Sequence, residues 1–241
     1  MKLLSKILIA ITFTLILHRT YAQGGGPPMM TDDPGVVDLH KWEINTSINT
    51  SITNQTQISV PYVDANYGVA HNLQLKAEMP YNITIDEQKH STGTFGAALL
   101  GLKFRFMDED KNFVSAGTYP QYTITGDQKG FLLPLLLEKT FGKFIIGEDI
   151  GHFFGEHNYS SFQNGILLGY KTSNKFQLLG EYFLERTCSP FTATDAFINY
   201  GFRYTINSTF TVMGSFGTQV VTGSTEQRQY FFSFVGLQSD F

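Results

Sequence analysis

The sequence predicts an all-β chain, a closed antiparallel transmembrane β-barrel of about 12 strands. Three observations carry that expectation. Leu73 to Ile83 (LQLKAEMPYNI) alternates apolar and polar residues over eleven positions. The rest of the chain supplies further segments of similar length, separated by turn and loop residues. The third observation is compositional: 22 Phe, 12 Tyr and 23 Gly stand out in the 241 residues.

In the first of these, Leu73, Leu75, Ala77, Met79, Tyr81 and Ile83 share one parity, and Gln74, Lys76, Glu78 and Asn82 the other. A period of two is a strand pattern, which no helix can sort onto two faces. The length matches the roughly 9–11 residues with which a tilted strand crosses a bilayer. A strand whose apolar parity faces lipid needs companions until the sheet closes, because an open edge cannot sit in hydrocarbon. Aromatics favour strands and membrane interfaces, and glycines let strands pack and turn.

The N-terminus reads as a cleaved signal peptide, residues 1–22. Lys2 and Lys6 form a basic start, Ile7 to Leu17 an apolar core, and Thr20-Tyr21-Ala22 a small-x-small end. The apolar core is too short for a membrane-spanning helix of about 20 residues, and no Cys follows the cleavage point. Losing Lys2, Lys6 and Arg19 leaves 14 of 17 basic residues against 21 acidic ones, a net −7. That balance argues against nucleic acid, whose phosphates require excess Lys and Arg. Cys188 is the single cysteine, so no intramolecular disulfide forms.

Residues 23–41 are Gly- and Pro-rich and cannot hold a regular ladder, so they form an N-terminal arm before a barrel over 42–241. The expected strands are 42–52, 58–67, 73–83, 98–106, 113–123, 131–141, 144–153, 165–171, 176–185, 196–204, 210–219 and 230–237. Pro61 interrupts the second, and 86–94 and 186–194 read as polar loops, the latter holding Cys188. Short turns and longer loops take turns, as in outer-membrane barrels of Gram-negative bacteria. Segments 58–67, 144–153 and 230–237 fit either parity.

Two stretches resemble a known family. One is Pro27-Pro28, Thr31-Asp32-Asp33-Pro34 and Trp42-Glu43-Ile44-Asn45; the other is Pro61, Asp64, Asn66-Tyr67-Gly68, Leu73-Gln74-Leu75-Lys76 and Pro80-Tyr81. Gly101 to Phe106 and Tyr119-Pro120-Gln121 fit its middle. The chain is similar here to the bacterial outer-membrane barrels named for a MetA pathway of phenol degradation, a transporter-like family. Lys41 stands where that pattern leads one to expect a small residue. The resemblance implies uptake of aromatic substrates. Phe241 resembles the closing aromatic that such barrels present to the outer-membrane assembly machinery.

Eight charged residues lie opposite apolar parities and are the lumen-lining candidates: Lys76, Glu78, Lys103, Arg105, Glu138, Glu181, Glu185 and Arg203. They either line a path for small solutes or pair with one another and fill a narrow barrel. Lys76, Glu78, Lys103 and Arg105 sit on neighbouring strands, so a cross-strand cluster in which Glu78 meets Lys103 or Arg105 is expected. Asp32-Asp33-Pro34 reads as turn chemistry rather than a metal site, which needs several more oxygens. No cofactor or metal is expected.

A barrel-borne lipid hydrolase is the enzymatic alternative. His40, His71, His90, His152 and His157 accompany many serines, but no G-x-S-x-G elbow occurs. A soluble lipocalin-like barrel would turn its apolar parity inward. The sequence therefore points to an outer-membrane channel for small solutes, hydrophobic or aromatic ones included, with a plugged structural barrel as the alternative. Its expected partners are outer-membrane lipid, the assembly machinery and a small solute.

Overall fold

A computed structural model describes residues 26–125, 129–190, 192–223 and 228–241. The leader at 1–22 lies outside the described residues. Fourteen β-segments follow one another: β1 (Trp42–Ile52), β2 (Thr56–Ala70), β3 (Leu73–Ile85), β4 (Ser91–Phe95), β5 (Leu99–Met107), β6 (Ser115–Thr118) and β7 (Gln121–Thr123) come first. They continue as β8 (Gly130–Phe141), β9 (Phe144–Gly155), β10 (Ser160–Lys171), β11 (Phe176–Ser189), β12 (Ala193–Thr205), β13 (Phe210–Val221) and β14 (Phe231–Asp240). Both β4 and β5 pair with β3, and both β6 and β7 lie between β5 and β8. The segments therefore make a closed barrel of twelve antiparallel strands, sealed where β14 returns to β1 from Glu43↔Asp240 to Ile52↔Phe231.

Proline explains where the ladder breaks. The gap between β4 and β5 faces Pro80, and the gap between β6 and β7 sets Pro120 near Pro134 across the strands. Neither can donate a ladder hydrogen bond. Pro61 lies in a bulge of β2, where Val60 and Pro61 together oppose Ile48. The extra residue resets the alternation, so Ser59 and Tyr62 both point inward. This resolves the parity of 58–67. Burial resolves the other two: Ile145, Gly147, Asp149 and Gly151 turn inward on β9, and the even-numbered residues do so on β14.

Four expectations need correction. The loop at 86–94 is shorter, because Ser91–Phe95 pairs with Tyr81–Ile85 and extends that hairpin. The fifth strand begins at Ser115 rather than 113 and is interrupted. The region 186–194 is mostly strand, with Cys188 exposed on β11. Loop length also alternates less strictly than expected, since 53–55 is short and 108–114 long.

The outer face is apolar. Leu75, Leu133, Leu168, Leu178 and Val235 are all exposed. They are flanked toward the chain ends by Trp42, Phe106, Phe144 and Tyr204, and toward the other rim by Phe95, Phe131, Phe154 and Tyr230. An apolar band between two aromatic girdles is the exterior of an outer-membrane barrel, and the short turns 71–72, 142–143, 172–175 and 206–209 assign the rim they share with Trp42 and Asp240 to the periplasm.

Candidate functional site

The interior is divided between wall residues that satisfy one another and wall residues that hold the arm. On β1–β3 the alternation turns Asn45, Asp64, Asn66, Gln74 and Lys76 inward, and all five are buried. Lys76 Nζ lies 3.4 Å from Asp64 and 2.8 Å from Glu78. Tyr62 donates to Glu78, Asn45 and Asn66 donate to Asp64, and Gln74 donates to Asn66. Tyr119, 1 % exposed, places its ring 5.1 Å from Lys76 and 5.5 Å from Lys103. Lys76, Asp64, Glu78 and Lys103 thus each have an opposite charge or a ring beside them, the condition for tolerating charge away from water.

The arm enters this interior. Gly26 to Thr31 forms a turn closed by Gly26 N–H donating to the Thr31 carbonyl. Glu181 on β11 accepts the backbone N–H groups of Met30 and Thr31 at 2.8–3.0 Å and the Asn199 amide at 2.9 Å. Arg203 Nε donates to the Pro27 carbonyl at 2.9 Å, and Ser215 Oγ to that of Pro28 at 2.8 Å. From the opposite wall Lys103 binds Asp32 at 2.7 Å, and Gln74 accepts Val37 N–H at 2.8 Å. Met29 packs with Leu167 and Leu179. Glycine makes the fit possible at Gly165, where a Cβ would come within 2.3 Å of Thr31 Oγ1.

The Asp-Asp-Pro sequence does two jobs. Asp33 Oδ1 accepts Gly35 N–H at 2.6 Å, which is turn chemistry, while Asp32 carries the ion pair. Burial alone would raise the Asp32 carboxyl, but Lys103 and Lys76 outweigh it and hold Asp32 below its ordinary range. For Asp33 burial prevails and raises the carboxyl.

Three spaces among the described residues bear on the arm. A 460 Å³ vestibule lies on the extracellular side, lined by Met30, Gln57, Gln121, Gln163, Phe183 and Phe232 among others. A 520 Å³ vestibule lies on the periplasmic side, around Lys171, Gln177, Arg203 and Thr211. Between them a space of about 20 Å³, walled by Gly26, Asp32, Lys76, Lys103 and Arg203, shares residues with both. That space holds about one water.

The eight charged candidates meet different fates. Glu78 pairs with Lys76 on its own strand and with Tyr62, not with Lys103 or Arg105 as expected from neighbouring strands. The arm has taken Lys103, and Arg105 reaches Asp108 of the next turn at 3.8 Å. Glu181 and Arg203 hold the arm. Glu138 is half-buried opposite Ser115, and Glu185 is half-buried between Gln163 and Asp195. Sequence reasoning missed Gln74, Asn199 and Ser215 as arm contacts, because neutral residues on an inward parity carry no signal of a partner 37 to 187 positions away. His40, His71, His90, His152 and His157 are absent from the walls of all three spaces.

No family model and no curated protein matches the sequence. The fold does match solved structures. The KdgM porin aligns with TM-score 0.57 at 11 % identity, over 82 % of this chain and 99 % of that one. The NanC porin aligns with 0.56 at 9 % identity, over 80 % and 98 %. The translocator domain of the autotransporter NalP from Neisseria meningitidis aligns with 0.53 at 12 % identity, over 99 % and 94 %. At such identities the likeness establishes the fold, an outer-membrane β-barrel.

Proposed function

We propose that this protein is an outer-membrane channel for small solutes whose pore is closed at rest by its own N-terminal arm. One observation carries the reading: vestibules of 460 and 520 Å³ lie on either side of a small space walled by Gly26, Pro27, Asp32 and Asp33 of the arm, which belongs to no strand. A barrel serving only as structure has no use for solute-sized spaces at both mouths, and each falls in the range of small-molecule sites. The barrel ladder closes through β1 and β14 without the arm. Moving the arm would join the two spaces and leave that ladder intact. That two fold neighbours are porins by name fits this reading.

The extracellular vestibule combines amides and aromatic rings, Gln57, Gln121, Gln163, Phe183 and Phe232, with the charged Asp64, Lys76, Glu78 and Asp149. That lining suits a solute with a ring and hydroxyl groups, consistent with the aromatic uptake implied by the family resemblance. Liposome swelling tests it. Vesicles carrying the refolded protein should admit a phenyl glucoside slowly, and Gly165→Val, which crowds Thr31 out of its seat, should speed entry severalfold. Unchanged swelling in a variant shown to have released its arm would refute the channel.

A further inference from the structure

The two vestibules differ in charge, and the periplasmic one has a lining that the channel reading does not use. Lys143, Lys171, Lys175 and Arg203 border it, against a single acid, Asp240, which accepts from Gln238 at 3.0 Å. Lys143 and Lys175 come from the turns after β8 and β10, Lys171 ends β10, and Arg203 projects inward from β12. A cavity lined by one sign of charge concentrates counter-ions. Deeper in the same wall Gln177 is 6 % exposed, and its Nε2 has no acceptor among the described residues. A buried donor without an acceptor is uncommon; this one is covered and lies beside Gly169, and turning the amide toward the cavity would give it an oxygen of a bound anion. Thr205 and Thr211 add hydroxyls to that wall.

We propose that the periplasmic vestibule binds a small multivalent anion bearing phosphate or carboxylate groups, held by the Lys143–Lys171–Lys175 rim and by Gln177 within. Its 520 Å³ accommodates an anion of that size. The same phosphate chemistry is offered by lipid headgroups, which the turn lysines could also reach. Gln177 separates the two sources, because it lies inside the lumen, where no bilayer headgroup enters. Arg203 links the site to the plug: it borders the vestibule and binds the Pro27 carbonyl of the arm. The binding claim stands whether or not the barrel conducts.

The test is calorimetric titration of the intact refolded chain, in zwitterionic detergent, with inorganic pyrophosphate at constant ionic strength. One saturable site is expected. Gln177→Leu should weaken it about tenfold, the loss of a hydrogen bond to a charged group. Lys171→Gln at the rim should weaken it about threefold, in line with a partly exposed ion pair. Lys89→Gln, in the loop between β3 and β4 at the other mouth, should leave it unchanged. Heat-modifiable gel migration checks that each variant folds, and Lys143→Gln in an exposed turn substitutes if Gln177→Leu does not. Absence of a saturable site would overturn the proposal, as would equal weakening by Lys89→Gln. Binding confined to vesicles of phosphatidylglycerol, with no competition from pyrophosphate, would assign the lysines to lipid and overturn it too.

Discussion

The inner wall has two halves that solve the same problem differently. On β1–β5 the inward residues are charged and amide side chains that largely satisfy one another, with Lys76, Asp64 and Glu78 at the centre. On β9–β12 small or apolar residues, Gly147, Gly165, Leu167, Leu179 and Gly201, alternate with isolated polar ones such as Glu181, Asn199 and Arg203, and their surface is completed by the arm. The first half is a largely finished interior that meets the arm through Lys103 and Gln74. The second is a socket, and a few polar links, from Glu181, Asn199 and Arg203 and from Ser215 of the adjoining β13, tie the plug to it. The mutually satisfied charges thus lie on β2 and β3, and most of the plug's polar links on β11–β13.

Substitutions can break that contrast, and the largest effect is expected in the finished half. Lys76→Met removes the cation shared by Asp64 and Glu78, and should cost about 3–5 kcal/mol in denaturant unfolding from detergent. Glu78→Gln combined with Lys76→Met should cost less than the sum of the single changes. Glu78→Gln combined with Lys103→Met should be additive to within about 0.5 kcal/mol, since no contact joins them. Equal coupling in both cycles would erase the distinction between wall and plug charges.

Next in size is the exterior. Leu75→Arg on the lipid face of β3 should cost about 2–4 kcal/mol in refolding titrations into bilayers. In the socket, Gly165→Val should cost about 1–3 kcal/mol by overpacking. Limited proteolysis should then cut within residues 26–38 while the strands stay resistant. The smallest effect is expected at Gln74, where Gln74→Ala removes the acceptor for Val37 N–H at a cost of about 1 kcal/mol and should loosen the arm's exit without releasing its turn.

Much of the fold was legible from periodicity. The alternation in Leu73–Ile83 and in Leu100–Phe106 identified the lipid face because polar and apolar residues sort cleanly there. Where the inward parity is Gly and Ile, as in β9, both faces look apolar and the alternation vanishes, although the strand is as regular as any other. In β2 the bulge at Val60-Pro61 shifts the parity midway, so no single period fits the segment. At the site, the charges were legible but not their partners. Neighbouring strands placed Glu78 near Lys103, yet the arm, 71 positions earlier in the chain, supplies the carboxylate that Lys103 binds. Charge parity shows which side chains face inward, and it says nothing about a segment that later fills the space.

The central claim is that the arm is a movable closure of a complete pore. Single-channel recording in planar bilayers tests it most directly, comparing the chain from residue 23 with one lacking residues 23–38. The account predicts brief, rare openings for the longer chain and steady conductance steps for the shorter one. Steady steps of the same size from both, or silence from both when each is fully folded, would contradict it.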